Sequence, residues 1–247
     1  MKAIFVSDLH LTTLEDERGQ VFLRLLKSWP AQGQTHLFLL GDIFDLWLSD
    51  HRYFVQKFLP VIEELRRLRQ QKIEIHYFEG NHDLYLRKYF QESVGLSVHA
   101  DPQGFTLGPW KVWAEHGDQS DPKDKGYQFL RWFLRTKVMT AVAENLPESM
   151  VVKIGEKASR TSRTYTSTIK KVNRDEAIEK LHLHAETLAK TQEFDFLING
   201  HVHVRDEFAF LHAGETRRAI NLGSWLERPY FYLELTDDGF QFLEAKL

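Results

Sequence analysis

The sequence predicts an α/β (α+β) fold in which two sheets form a sandwich flanked by helices, with a helical cap inserted late in the chain. Three observations lead there. Apolar runs of strand length alternate with helical periodicity from the N-terminus to about Phe78, and closely spaced short strands follow Gly95. A helical, basic stretch then interrupts those strands between about Asp121 and Gln192.

Ala3 to Val6 is a short apolar run and Thr35 to Leu40 (THLFLL) is another, rich in aromatic and aliphatic residues; both read as buried strands. Between them Val21, Phe22, Leu25 and Leu26 recur at helical spacing in a segment that ends before Pro30. Phe54, Phe58, Val61, Ile62, Leu65 and Leu68 predict one long helix, followed by a strand from Ile73 to Phe78. Further strands are expected around Phe105, from Lys111 to Ala114, Phe194 to Ile198, Glu207 to Leu211, Arg218 to Leu222 and Tyr230 to Leu235. A second sheet packed on the first accommodates them.

Residues 1–120 and 193–247 are thus expected to form the core, and 121–192 a helical cap that is not an independent domain. The first cap helix is expected over Tyr127 to Asn145. Its Phe129, Leu130, Trp132, Phe133, Leu134, Val138, Met139 and Val142 make an apolar surface wider than one core stripe. Such a surface either packs against the second cap helix or receives lipid.

With 247 residues, 43% hydrophobic and 27% charged, the chain can bury a sizeable core. It has no cysteine, which excludes disulfides, thiolate metal sites and a cysteine nucleophile, so any metal is held by oxygen and nitrogen. A net charge of −3 gives no reason to expect nucleic acid, and no obligate protein partner is indicated. No stretch approaches the ~18 apolar residues of a spanning helix, and MKAIFVSDLHL has too short an apolar run for a secretory leader. The expected location is the cytoplasm, with peripheral contact at the inner face of the inner membrane.

Polar clusters sit where the strands end. Asp8 and His10 form a D-x-H pair after the first strand, spaced to face one side. The second strand ends in GDIFD with Asp42 and Asp45, and the third in EGNHD with Asn81, His82 and Asp83. EHGD supplies His116, and NGHVH supplies His201 and His203. One such histidine is ordinary; the ordered series of clusters at a sheet edge points to a metal-dependent site. Imidazole and carboxylate donors suit Mn²⁺, Fe²⁺ or Zn²⁺ better than Mg²⁺.

The ordered motifs D-x-H, GDxxD, GNHD, EHGD and GHxH resemble those of the calcineurin-like metallophosphoesterase superfamily, over residues 8–203. The resemblance implies a two-sheet core with two divalent transition metals, Mn²⁺ being the first expectation and Fe or Zn the alternatives. It places one ion among Asp8, His10, Asp42 and His203, and the other among Asp42, Asn81, His116 and His201. It also implies that His82 acts near the leaving group and that Asp45 orients it.

GDIFDLWLSD, the aromatic helix and the basic second half are similar to UDP-2,3-diacylglucosamine pyrophosphohydrolases of lipid A biosynthesis. That similarity implies a lipid-linked nucleotide sugar as substrate, with UMP and 2,3-diacylglucosamine 1-phosphate as products. Tyr127, Arg160, Arg163, Lys170 and Lys171 are then expected to contact substrate, and Lys153 and Lys157 add charge toward pyrophosphate or anionic headgroups. The same basic residues also suit a plain solvated face. One position departs from the pattern: the best-known branch has arginine where this chain has His82. Hydrolysis of another phosphomonoester or phosphodiester, and a non-catalytic scaffold of the same fold, are the alternatives.

Overall fold

Strands β1 (Lys2–Val6), β2 (His36–Leu39) and β4 (Glu74–Phe78) run parallel and side by side because each is apolar on both faces. The computed structural model describes residues 1–30, 33–121, 124–157 and 174–246. On one face of this sheet Ile4, Val6, Leu37, Leu39, Ile75 and Tyr77 pack under helices; on the other Ala3, Phe5, Phe38 and Phe78 enter the sandwich. Antiparallel β12 (Phe231–Thr236) and β13 (Gly239–Glu244), with parallel β6 (Ser97–His99), complete the order β13-β12-β1-β2-β4-β6.

The second sheet has the order β10-β11-β9-β8-β7, formed by β7 (Gln103–Leu107), β8 (Trp110–Ala114), β9 (Phe196–Asn199), β10 (Arg205–His212) and β11 (Glu215–Leu222). Val112, Ala114, Phe196, Ile198, Ile220 and Leu222 meet the first sheet. A two-stranded ribbon, β3 (Trp47–Leu48) with β5 (Asp83–Leu84), lies beside the strand ends. Helices on the outer faces make four layers, and the two-sheet class expected from sequence is the one observed.

Helix α1 (Glu17–Ser28) starts where the Asp16 side chain accepts the Gly19 N–H at 2.8 Å. The long helix expected through Phe54 and Leu68 is instead two, α2 (Arg52–Lys57) and α3 (Leu59–Gln70). Pro60 lies in the first turn of the second, where its missing N–H costs nothing. A π-helix at Arg87–Val94 was not anticipated.

Among the described residues between β8 and β9 lie the helices α4 (Lys125–Leu134), α5 (Lys137–Glu144), α6 (148–157) and α7 (Arg174–Leu188). The single helix expected over Tyr127 to Asn145 breaks at Arg135, because Thr136 caps a new helix by accepting the Met139 N–H at 3.3 Å. Helix α7 packs on the outer face of the second sheet through Ala185, next to Ala189, Phe194, Leu197 and Ala219. Among the described residues no helix is long and apolar enough to cross a membrane.

Candidate metal centre

Parallel strands carry their C-terminal ends to one edge of the sandwich. Asp8 and His10 lie just past β1, Asp42 and Asp45 past β2, Asn81 and His82 past β4, His116 past β8, and His201 and His203 past β9. All are buried or half-buried. Asp8, His10, Asp42, His201 and His203 have φ between 46° and 69°, in the left-handed region that non-glycine residues seldom occupy. Each such residue costs of order 1–3 kcal/mol and needs surrounding structure to hold it.

The carboxylates supply much of that hold, each dividing its oxygens between two tasks. Asp42 Oδ1 accepts the main-chain N–H groups of Asn81 and His82, both at 2.9 Å, while Oδ2 faces His10 Nε2 at 3.8 Å and His116 Nε2 at 3.7 Å. Asp8 Oδ2 accepts the His201 N–H at 2.8 Å, leaving Oδ1 3.2 Å from His203 Nε2 and 3.9 Å from His10 Nε2. One oxygen fixes a loop; the other looks into the centre.

Glycines make this closeness possible. A Cβ on Gly80 would stand 2.1 Å from Asp42 Oδ1, and one on Gly200 2.2 Å from Asp8 Oδ2. Beneath them Asp83, fully buried, accepts four hydrogen bonds. Its Oδ1 takes the N–H groups of Asp42 and Gly80, both at 2.9 Å. Its Oδ2 takes the Ile43 N–H at 2.9 Å and the Tyr77 hydroxyl at 2.6 Å. Burial and then the Asp42 carboxylate push Asp83 up to about 7 against the pull of these donors. Sequence reasoning placed Asp83 at the edge but gave it no task.

Two ligand groups result. Asp8, His10 and His203 form one and Asp42, His116 and His201 the other, the ligand atoms of each lying within 4.8 Å of one another. His10 Nε2 and His203 Nε2 converge to 3.1 Å. Asn81 Oδ1 is 3.1 Å from His116 Nε2 and 3.2 Å from His201 Nδ1. The His116 Nδ1–H donates to the Leu40 carbonyl at 2.8 Å, which turns the lone pair of a neutral ring, on Nε2, toward the Asn81 oxygen. Once that ring is deprotonated, its lone pair and the Asn81 oxygen both face the same space as donors for a cation. The donor set, nitrogen and oxygen with no sulfur, fits divalent transition ions.

The carboxylates draw positive charge to this centre, and a bound cation would take the place of the His116 proton. Burial opposes charge on His116, but the Asp42 and Asp8 carboxylates override it and push the ring up to about 9. Burial also works against the charge on Asp42, yet His116, His10 and His82 hold it below the usual carboxylate range. His10, dominated by burial, falls to about 4.

His82 stands beside the first group, its ring 4.8 Å from that of His10 and edge-on to it. Its Nδ1 bonds at 2.8 Å to the main-chain carbonyl of Asp45, so the contact runs through the backbone where a carboxylate was expected. His10, Asp45 and His82 nonetheless bring ligand atoms within 4.8 Å of one another.

Tyr127 reaches the other side of the centre, its ring 6.0 Å from that of His201 and its hydroxyl donating to Asp118 at 3.0 Å. Arg160, Arg163, Lys170 and Lys171 lie outside the described residues. Lys153 and Lys157 are exposed on α6. Phe129, Trp132 and Val138 are exposed by 64%, 62% and 72%, so this apolar face is not covered by another described helix.

The sequence matches the calcineurin-like phosphoesterase family over residues 1–205. It is 29% identical to the UDP-2,3-diacylglucosamine hydrolase of Nitrosococcus oceani, covering 100% of this chain and 96% of that protein. Identity to the protein of that name from Pseudomonas putida is 28%, over 96% of both chains. For Histophilus somni it is 28%, over 98% of this chain and 99% of the relative.

Proposed function

The chain belongs to the calcineurin-like phosphoesterase family, whose members are binuclear metal-dependent hydrolases, and we propose that its substrate is UDP-2,3-diacylglucosamine. The observation that carries the chemistry is Asp42 Oδ2, set almost equally between His10 and His116 and so between the two ligand groups. Relatives from several genera that bear this substrate's name, matched along nearly the whole chain, support the choice of substrate.

In this reading Asp8, His10, Asp42 and His203 hold one ion and Asp42, Asn81, His116 and His201 the other, Mn²⁺ being the first choice. When bound, the pair supplies an activated water and neutralises charge on the phosphoryl oxygens. The protein's own groups do the rest. His82, with Nδ1 committed to the Asp45 carbonyl, keeps Nε2 for holding a proton near the leaving oxygen. Addition of water across the pyrophosphate gives UMP and 2,3-diacylglucosamine 1-phosphate.

Residues 121–192 serve as the cap. In the same reading the exposed aromatics of α4 meet acyl chains or the membrane surface, and Arg160, Arg163, Lys170 and Lys171 meet the substrate pyrophosphate or anionic headgroups, with peripheral contact at the inner membrane. The deciding experiment strips the metal with a chelator, restores Mn²⁺, Fe²⁺ or Zn²⁺ singly, and follows UMP release from UDP-2,3-diacylglucosamine. Metal-restored release of UMP is expected. Turnover of aryl phosphates or cyclic nucleotides without any UMP would reject the substrate, and no metal-dependent hydrolysis of any ester would reject the enzyme.

A further inference from the structure

Helix α4 is docked the wrong way round for a soluble helix. None of its residues is buried, and its aromatic side, with Phe129 and Trp132, is turned to solvent. What faces the core is a polar row. Tyr127, Arg131 and the capping Arg135 follow one another at intervals of four, so they share a face.

All three converge on one carboxylate. Asp118 Oδ2 accepts from Arg131 Nε at 2.8 Å and from the Tyr127 hydroxyl at 3.0 Å, with Arg135 Nη1 at 3.8 Å. Asp118 is only 7% exposed, and it follows His116 by two residues in the EHGD segment. Arg131 also reaches the Ala100 carbonyl at 3.1 Å and Asp101 at 3.3 Å. Arg135 Nε lies 3.9 Å from Glu79, the residue preceding Gly80 and Asn81. The polar row therefore ties α4 to the segments that carry His116 and Asn81.

We propose that Asp118 is a positioning residue: it sets the pose of α4, holds Tyr127 against His201, and so governs capture of a substrate large enough to reach the cap. The inference rests on the substrate reading above for its kinetic part and on geometry alone for its structural part. Apolar packing holds only the C-terminal end of α4, where Leu134 meets Leu84, Tyr85 and Ala143; Phe129, Leu130, Trp132 and Phe133 are exposed. A buried carboxylate shared by several donors can hold the rest, since charge-assisted hydrogen bonds are the strong ones.

The test compares Asp118→Asn, Arg131→Ala and the double variant with the wild-type protein, all loaded with Mn²⁺ and checked for equal metal content. The ratio of kcat/KM for UDP-2,3-diacylglucosamine over that for bis(p-nitrophenyl) phosphate is expected to fall about 10-fold or more, mainly through KM. The double variant is expected to be no worse than the poorer single one, because both cuts sever one link. Amide exchange over residues 125–134 should quicken about 10-fold while β1, β2 and β4 keep their protection.

An equal loss on both substrates would reduce Asp118 to general support of the fold and overturn the proposal. If wild-type protein released no UMP, the substrate reading would fall and amide exchange alone would decide. Faster exchange in α4 would uphold the anchoring role, and unchanged exchange would refute it.

Discussion

Replacing Asp83 with asparagine tests whether the floor of the centre is held by one carboxylate. Wild-type Asp83 receives three main-chain N–H groups and one hydroxyl. The N–H groups cannot accept a hydrogen bond, and only Tyr77 could turn its hydroxyl round. In its cheapest orientation the amide keeps its oxygen on Asp42 and Gly80 and points its NH₂ at Ile43 and Tyr77, leaving the Ile43 N–H opposed by a donor. An orphaned buried donor costs about 1–3 kcal/mol, and the surviving bonds lose their charge assistance at about 1 kcal/mol each. Relief of repulsion from Asp42 and of the carboxylate's desolvation returns part of this, for a net loss of about 3 kcal/mol. For a chain of this size that is a fall in Tm of roughly 6–12 °C. Thermal melts at matched Mn²⁺ and at a pH well above 7, where Asp83 is ionised, would measure it, with Tyr77→Phe as a milder control expected to cost about 1 kcal/mol. A Tm for Asp83→Asn within about 2 °C of wild type would show that the donors are satisfied in some other way and that Asp83 is not the support described.

Further outcomes separate the roles at the centre. Asp42→Ala should lose both metal ions together with activity, read by elemental analysis, because its Oδ2 faces a histidine of each group. His82→Ala should keep both ions and lose about 100-fold or more in turnover; an unchanged rate would remove it from the mechanism. Gly200→Ala should cost activity through Asp8, since the added Cβ falls 2.2 Å from Asp8 Oδ2, and a crystal structure should show that carboxylate displaced. Away from the centre, burial and then His99 push His76 down to about 4 from an ordinary 6.5. The fold thus favours the neutral ring. Its contribution is complete above pH 6.5 and is lost as pH falls toward 4, worth about 1 kcal/mol at pH 5 for a partly solvated group. His76→Phe, which keeps the stacking on Phe38, should flatten that part of the pH–stability curve.

The strand-end clusters were legible because each is local: an apolar run, then the polar residues, within a few positions. The residues that converge at the centre could be named before any coordinates, whereas their support could not. Asp83 bonds Asp42 and Ile43 some forty positions earlier in the chain, and nothing in GNHD announces that. The break between α2 and α3 did have a signal, Pro60, which suits the first turn of a helix and disfavours the middle of one. Thr136 offered a similar sign for the break between α4 and α5. The outward turn of α4 escaped because periodicity reports that a helix is two-sided and is silent on which side meets the core. There the polar side does, since Asp118 awaits it.

The left-handed backbone at Asp8, His10, Asp42, His201 and His203 bears on how this protein can change. At His10, His201 and His203 glycine would relax the chain, whereas Asp8 and Asp42 hold main-chain N–H groups that glycine would orphan. Screens for heat resistance should therefore find gains at these three histidines, positions to which the proposed function assigns metal binding. A lineage released from the need for catalysis would drift to glycine or asparagine there first, growing more stable as it fell silent.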